Sequence, residues 1–174
     1  CVWIHTSTKM IIYLDVISGD EVFADSFPMT VEDDVVFAVE TKSIVITEES
    51  YVEANTEEGE ESVLPADAQT VNNLENGYRL QPTAFDKKSY GAHLKAYMGA
   101  IKAHLEKTQP ERVADFMKGA QTFAKKVLGN FSEYEFFTTE SMNPDGIVLL
   151  KYWKEDAPTP TFYIWKDGLT QRRV

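Results

Sequence analysis

Phe136-Phe137-Thr138-Thr139-Glu140-Ser141-Met142-Asn143-Pro144-Asp145-Gly146-Ile147-Val148 puts an aromatic strand, a turn and a second apolar strand into one short run. The turn has a physical basis: Pro144 presets a negative φ, Asp145 tolerates turn geometry, and Gly146 accepts a positive φ. Strand character spreads outward from it, over Phe131 to Thr138, Ile147 to Trp153 and Thr161 to Trp165, with Lys154 to Pro160 as a hairpin connection.

The N-terminal part has the same character. Met10 to Val16, Val35 to Val39 and Ser43 to Thr47 alternate apolar with polar positions and read as strands, and Val71 to Leu80 returns to the sheet. Between them, residues 47–69 carry Glu48, Glu49, Glu53, Glu57, Glu58, Glu60, Glu61 and Asp67 without one lysine or arginine. Such a segment buries too little apolar surface to offset its ordering entropy, so a long acidic mobile loop is expected over residues 48–69.

The period then changes. Tyr90, Leu94, Tyr97, Met98, Ile101 and Leu105 recur at three and four, with Asp86 placed as N-cap. Val113, Phe116, Met117, Ala120, Phe123, Ala124, Val127 and Leu128 repeat that spacing after Pro110; Thr108 and Glu111 fit a capping box, and Gly129 suits the helix stop. Two apolar stripes and a short connection predict an antiparallel α-helical hairpin over residues 86–129. Strands, a helix pair, then strands again give an α+β class.

At 174 residues the chain can bury one substantial core without disulfides. Cys1 is the sole cysteine and there are three histidines, so no four-ligand zinc spacing exists and a reducing compartment is compatible. No stretch approaches the roughly 20 apolar residues of a membrane span, and no signal-peptide pattern is present at the start. The net charge of −11 argues against nucleic acid as a default partner. It is unevenly spread: residues 86–130 hold nine basic residues against four acids, a surplus of +5, and the remainder carries −16. A basic face can therefore meet acidic partners while the bulk stays soluble.

The opening run, together with Met10-Ile11-Ile12-Tyr13-Leu14-Asp15, Asp20-Glu21-Val22-Phe23-Ala24-Asp25, Pro110-Glu111-Arg112-Val113 and Lys166-Asp167-Gly168-Leu169, resembles the translationally controlled tumour protein family over residues 10–174. Residues 1–9 are left outside and read as an N-terminal extension or cloning remnant, with Met10 as the natural start. The resemblance implies a tent-like set of small, mostly antiparallel sheets from which the hairpin projects. It also implies a cytoplasmic, non-enzymatic interaction protein in growth, survival and cytoskeletal regulation, with a small Ras-related GTPase and tubulin or microtubules as partners; a monomer is expected. Three departures stand out: Thr139-Glu140 where the family usually has Gly-Glu, Glu53-Ala54-Asn55-Thr56-Glu57-Glu58-Gly59 where a second family signature carries a serine, and an ending of Gln171-Arg172-Arg173-Val174 where the family has a terminal cysteine.

On residues alone, Asp20-Glu21 beside Ser18-Gly19 reads as a solvated turn. The resemblance maps the family's GTPase-contacting glutamate onto Glu21, with Asp20 and Asp25 as matching neighbours. Lys95, Lys102 and Lys118, outside the apolar stripes, are the expected contacts for tubulin or another acidic partner. No metal ligand set is assigned. The acidic loop lacks an EF-hand register, which leaves at most weak calcium binding, and no cofactor is required. His93 and His104, eleven residues apart, are three turns apart on a helix and read as flanking surface histidines. An alternative reading, a methionine sulfoxide reductase of related fold, needs a reactive cysteine, and the only cysteine lies in the unmatched prefix. A third is a chaperone or calcium buffer acting through the acidic loop.

Overall fold

The computed structural model describes residues 10–46, 69–173 and the backbone of Tyr51–Glu53. The N-terminal extension and most of the acidic segment lie outside them. In chain order come β1 (Ile11–Asp15), β2 (Glu21–Ala24), β3 (Met29–Glu32), β4 (Val36–Glu40), β5 (Ser43–Ile46), β6 (Tyr51–Glu53), β7 (Gln69–Asn72), α1 (Asn73–Gly77) and β8 (Gln81–Thr83). They are followed by α2 (Lys87–Thr108), α3 (Val113–Gly129), β9 (Tyr134–Thr138), β10 (Leu149–Tyr152), β11 (Thr161–Trp165) and β12 (Leu169–Arg173). The strands make three antiparallel sheets, ordered β12-β1-β2, β3-β4-β11-β10-β9-β8 and β6-β5-β7.

Register explains why β11 reads Thr-Phe-Tyr-Ile-Trp with every residue buried. Tyr163 lies opposite Leu150 and Ala38, and Leu150 opposite Phe136, so these residues share one face of the six-stranded sheet. That face takes the helices: Phe123 of α3 meets Tyr163 at 5.5 Å and Trp165 at 5.2 Å, and Tyr90 of α2 meets Phe136 at 4.9 Å between ring centres. Phe37 and Ile164 point the other way, where Phe37 packs on Tyr13 and Phe23 of the three-stranded sheet. A sheet covered on both faces needs continuous apolar runs rather than alternation, and burying one such aromatic side chain contributes roughly 1.5–3 kcal/mol.

Asp86 caps α2 as expected, its carboxylate accepting from Ser89 N at 2.7 Å while the Ser89 hydroxyl accepts from Asp86 N at 3.0 Å. Several expectations need correction. The Thr108 and Glu111 box does not form: the Thr108 hydroxyl donates to the His104 carbonyl at 2.9 Å, Pro110–Arg112 makes a 3-10 turn, and α3 starts only at Val113. Arg112, which precedes α3, supplies no cap because a guanidinium only donates; it grips Asp167 with two bonds of 3.0 Å. Val71 to Leu80 is not one strand, because the Asn72 side chain accepts from Leu74 N and Glu75 N and nucleates α1. Within the segment assigned to the acidic loop, Tyr51–Glu53 pairs with β5 and Gln69 opens β7; backbone pairing and a β-prone Tyr-Val pair override local acidity there. β12, polar and mostly exposed, carried no strand signal, and its pairing with β1 supplies what its composition lacks.

Gly146 has no positive φ; among the described glycines only Gly19, at +78°, does, while Met142 takes φ 55° just before the turn. Gly146 is needed for closeness instead. A Cβ there would stand 2.8 Å from Asp15 Oδ2. Gly168 is likewise pressed onto the ring of Tyr97, whose hydroxyl has no hydrogen-bond partner among the described residues. Gly168→Ala is expected to destabilise the fold by about 1–3 kcal/mol through overpacking. Tyr97→Phe removes the atom that the new methyl strikes, so the double variant should regain part of the loss. Urea unfolding of the two single variants and the double variant checks this, and additive losses would refute it.

Candidate interaction surface

Asp15 ends β1 with its carboxylate 1% exposed as a residue. It accepts from Ile17 N at 3.1 Å, Ser18 N at 3.3 Å, the Ser18 hydroxyl at 2.7 Å and Ile147 N at 3.0 Å. The Ser18 hydroxyl in turn accepts from Asp20 N at 3.3 Å. The loop from Val16 to Asp20 is thereby tied to the turn at Asn143–Gly146, which is closed by Gly146 N donating to the Asn143 carbonyl and Asp145 N to the Asn143 side chain.

Of the three acids expected at the GTPase contact, Asp20 and Asp25 serve the scaffold. Asp20 Oδ2 accepts from the Thr139 hydroxyl at 2.7 Å and Ser141 N at 3.0 Å. Burial pushes its carboxyl up, but the bonds from Ser141, Thr139 and Ser18 outweigh burial and hold it below the usual range. Thr139, where the resemblance leads one to expect glycine, is thus a buried donor. Asp25 accepts from Ile11 N at 3.1 Å at the other end of β2. Glu21 alone of the three keeps an exposed carboxylate with no backbone donor among the described residues, and it begins β2 rather than sitting in a free turn. Its side chain, 46% exposed, pairs with Arg172 of β12.

Glu21 lines a groove of about 1030 Å³ together with Ile12, Phe27, Tyr78, Thr41 and Pro160. Tyr78 packs on Phe27 at 6.2 Å; burial, then the negative charges of Glu21 and Asp25, raise its hydroxyl above the ordinary tyrosine value. Tyr78 and Arg172 are surface residues that sequence reasoning missed. Tyr78 was read inside a strand but closes α1, and nothing in the sequence signals that β12 runs beside β1.

Lys95 and Lys102 on α2 and Lys118 on α3 are exposed, and none has an ion-pair partner among the described residues. Lys95 and Lys102 lie two turns apart along one helix, while Arg112 and Lys126 of the same basic region are engaged by Asp34, Asp167 and Asp33. His93 is not a surface histidine: it stands between Phe85 and Tyr97, and burial lowers its basicity. Among the described residues no group of three or more His, Cys, Asp or Glu could hold a metal, and no helix is long and apolar enough to cross a membrane. The described residues thus bring together an outward carboxylate at a groove lined in part by Phe27 and Tyr78, and exposed lysines on α2 and α3.

Residues 10–170 match the family model described as translationally controlled tumour protein. The translationally-controlled tumor protein homologs of Yarrowia lipolytica and Saccharomyces cerevisiae are 46% and 42% identical to the chain, each over 95% of it and their own full length. Among solved structures, the tumor-associated protein p23fyp of Schizosaccharomyces pombe superposes with a TM-score of 0.79 at 41% identity, covering 94% of this chain and 99% of that one. The Caenorhabditis elegans protein, at 21% identity and a TM-score of 0.63 over 94% and 98%, shares the fold.

The bonds to Asp20 predict a pH dependence. Because its carboxyl is held below the ordinary value of 3.8 in the folded state, the stability it contributes is fully present above that value and is lost as pH falls through the lowered folded value. The stability difference between the wild type and Asp20→Asn should therefore be flat above about pH 5 and shrink below about pH 4. Denaturant unfolding across that range measures it; a difference independent of pH would refute it.

Proposed function

Since the chain belongs to the translationally controlled tumour protein family, we propose that it works as a non-enzymatic, cytoplasmic interaction protein, whose Glu21 surface receives a small Ras-related GTPase and whose helical hairpin receives tubulin or another acidic partner. The reading extends to growth, survival and cytoskeletal regulation, with calcium bound weakly at most and through the acidic segment. The observation that carries the GTPase reading is the outward carboxylate of Glu21 on a strand whose flanks are both pinned, by Asp20 to Thr139 and Ser141 and by Asp25 to Ile11. A binding charge on a rigid element loses little freedom on association.

Glu21→Ala should weaken association with such a GTPase by roughly 2–5 kcal/mol if its partner's charge is left buried and unpaired. Its effect on folding stability should stay under about 1 kcal/mol, because the pair it removes is exposed. Titration and thermal unfolding on one preparation separate the two. Undiminished affinity, or a large fall in Tm, would count against a binding role for Glu21.

The hairpin reading makes a different demand. Charge reversal at Lys95, Lys102 and Lys118 should weaken co-sedimentation with microtubules and flatten its salt dependence, since exposed charges are screened over about 10 Å at 0.1 M salt. Binding unchanged by both salt and charge reversal would remove the electrostatic contact.

A further inference from the structure

Glu21 is not waiting empty. It lies opposite Leu14 on one side of β1, and Arg172 lies opposite Ile12 on the other. Residues 12 and 14 share a face of the strand, so Glu21 and Arg172 project from the same face of the three-stranded sheet, two strand spacings or roughly 10 Å apart at the backbone. Their long side chains close that distance over β1, and the Arg172 guanidinium donates to Glu21 Oε1. Ile12 and Glu21 both line the groove, so the carboxylate that Arg172 engages stands at its wall.

We propose that Arg172 is an intramolecular competitor for the Glu21 carboxylate and sets how strongly this surface takes a partner's basic side chain. The proposal rests on the reading of Glu21 as the partner contact. A lysine or arginine arriving from a GTPase must displace a guanidinium already in place, and the displaced cation then stands beside the incoming one. Backbone pairing sets the main chain of Arg172 opposite Ile12 but leaves its side chain, 50% exposed on an edge strand, able to leave the pair. An exposed pair of this kind is weak, so it can be opened by a partner and yet tax its affinity. The negative charge of Asp25 also reaches Tyr78, which lines the groove, and it stays once Arg172 swings away.

The test is a set of binding titrations with a purified, nucleotide-free Ras-related GTPase, each variant checked by thermal unfolding. Arg172→Gln is expected to raise affinity about two- to fivefold, the range that an exposed ion pair allows. Arg172→Lys should remain close to wild type, because it keeps a competing charge. In a Glu21→Gln background, Arg172→Gln should change nothing, which a merely structural role for the arginine would not produce. If Glu21→Gln weakens binding but Arg172→Gln leaves affinity unchanged or lowers it, masking is overturned while the Glu21 contact stands. If Glu21→Gln has no effect, the contact itself fails and the masking proposal fails with it.

Discussion

Four hydrogen bonds converge on the buried carboxylate of Asp15: three come from Ile17 and Ser18, and the fourth from Ile147, across 132 positions of sequence. A carboxylate withdrawn from water must have its lone pairs occupied, and a donor deprived of it would cost about 1–3 kcal/mol. Each of those donors is therefore held in place as firmly as the carboxylate is. Gly146 follows from the same constraint, since any side chain there would strike the Asp15 oxygen. From this knot hang the Val16–Asp20 loop, the Asn143–Gly146 turn and, through Ser18, the backbone that presents Asp20 and Glu21.

A second anchor acts close by, on the segment whose Gly168 carbonyl accepts from Val16 N at 3.0 Å. Arg112, its side chain 15% exposed, joins the helix-to-helix corner to Asp167 before β12 and to Asp34 after β3. Asp167 and Asp34 raise the affinity of the guanidinium for its proton, and the Arg112 hydrogen bond holds the Asp34 carboxyl below the usual range. Gly119 lets α3 approach the same corner, where a Cβ would come within 2.5 Å of the Asp33 carbonyl. The hairpin is thus clamped on its helix-pair side by aromatic packing and at its corner by a planar cation that lysine could not imitate. The lysines left outward on α2 and α3 are those that neither contact requires.

Much of the fold was legible because it follows from short-range physics. The three-and-four spacing of Tyr90 through Leu105 and of Phe116 through Val127 placed both helices, and the aromatic runs placed β9 to β11 within a few residues. Asn72 shows where that stops: it ends β7 opposite Ser43 while its side chain caps α1, and no local preference announces that double role. β12 shows it from the other side, being a polar segment made into a strand by the free edge of β1. At the candidate surface, the family resemblance singled out Glu21, Asp20 and Asp25 together, whereas hydrogen bonding separates the outward carboxylate of Glu21 from its two backbone-bound neighbours.

The sequence by itself determined the class of the fold, the helix pair, the aromatic core and the uneven charge, because each depends on composition and on neighbours within a turn or a strand. Only the tertiary structure decided that Asp15 reaches Ile147, that Gly146 is a matter of contact rather than of φ, and that Arg172 comes to lie against Glu21. These are meetings between residues more than a hundred positions apart, and no local preference encodes them. The last of them exists because β12 and β2 close onto the two edges of β1 and bring Arg172 and Glu21 into one sheet.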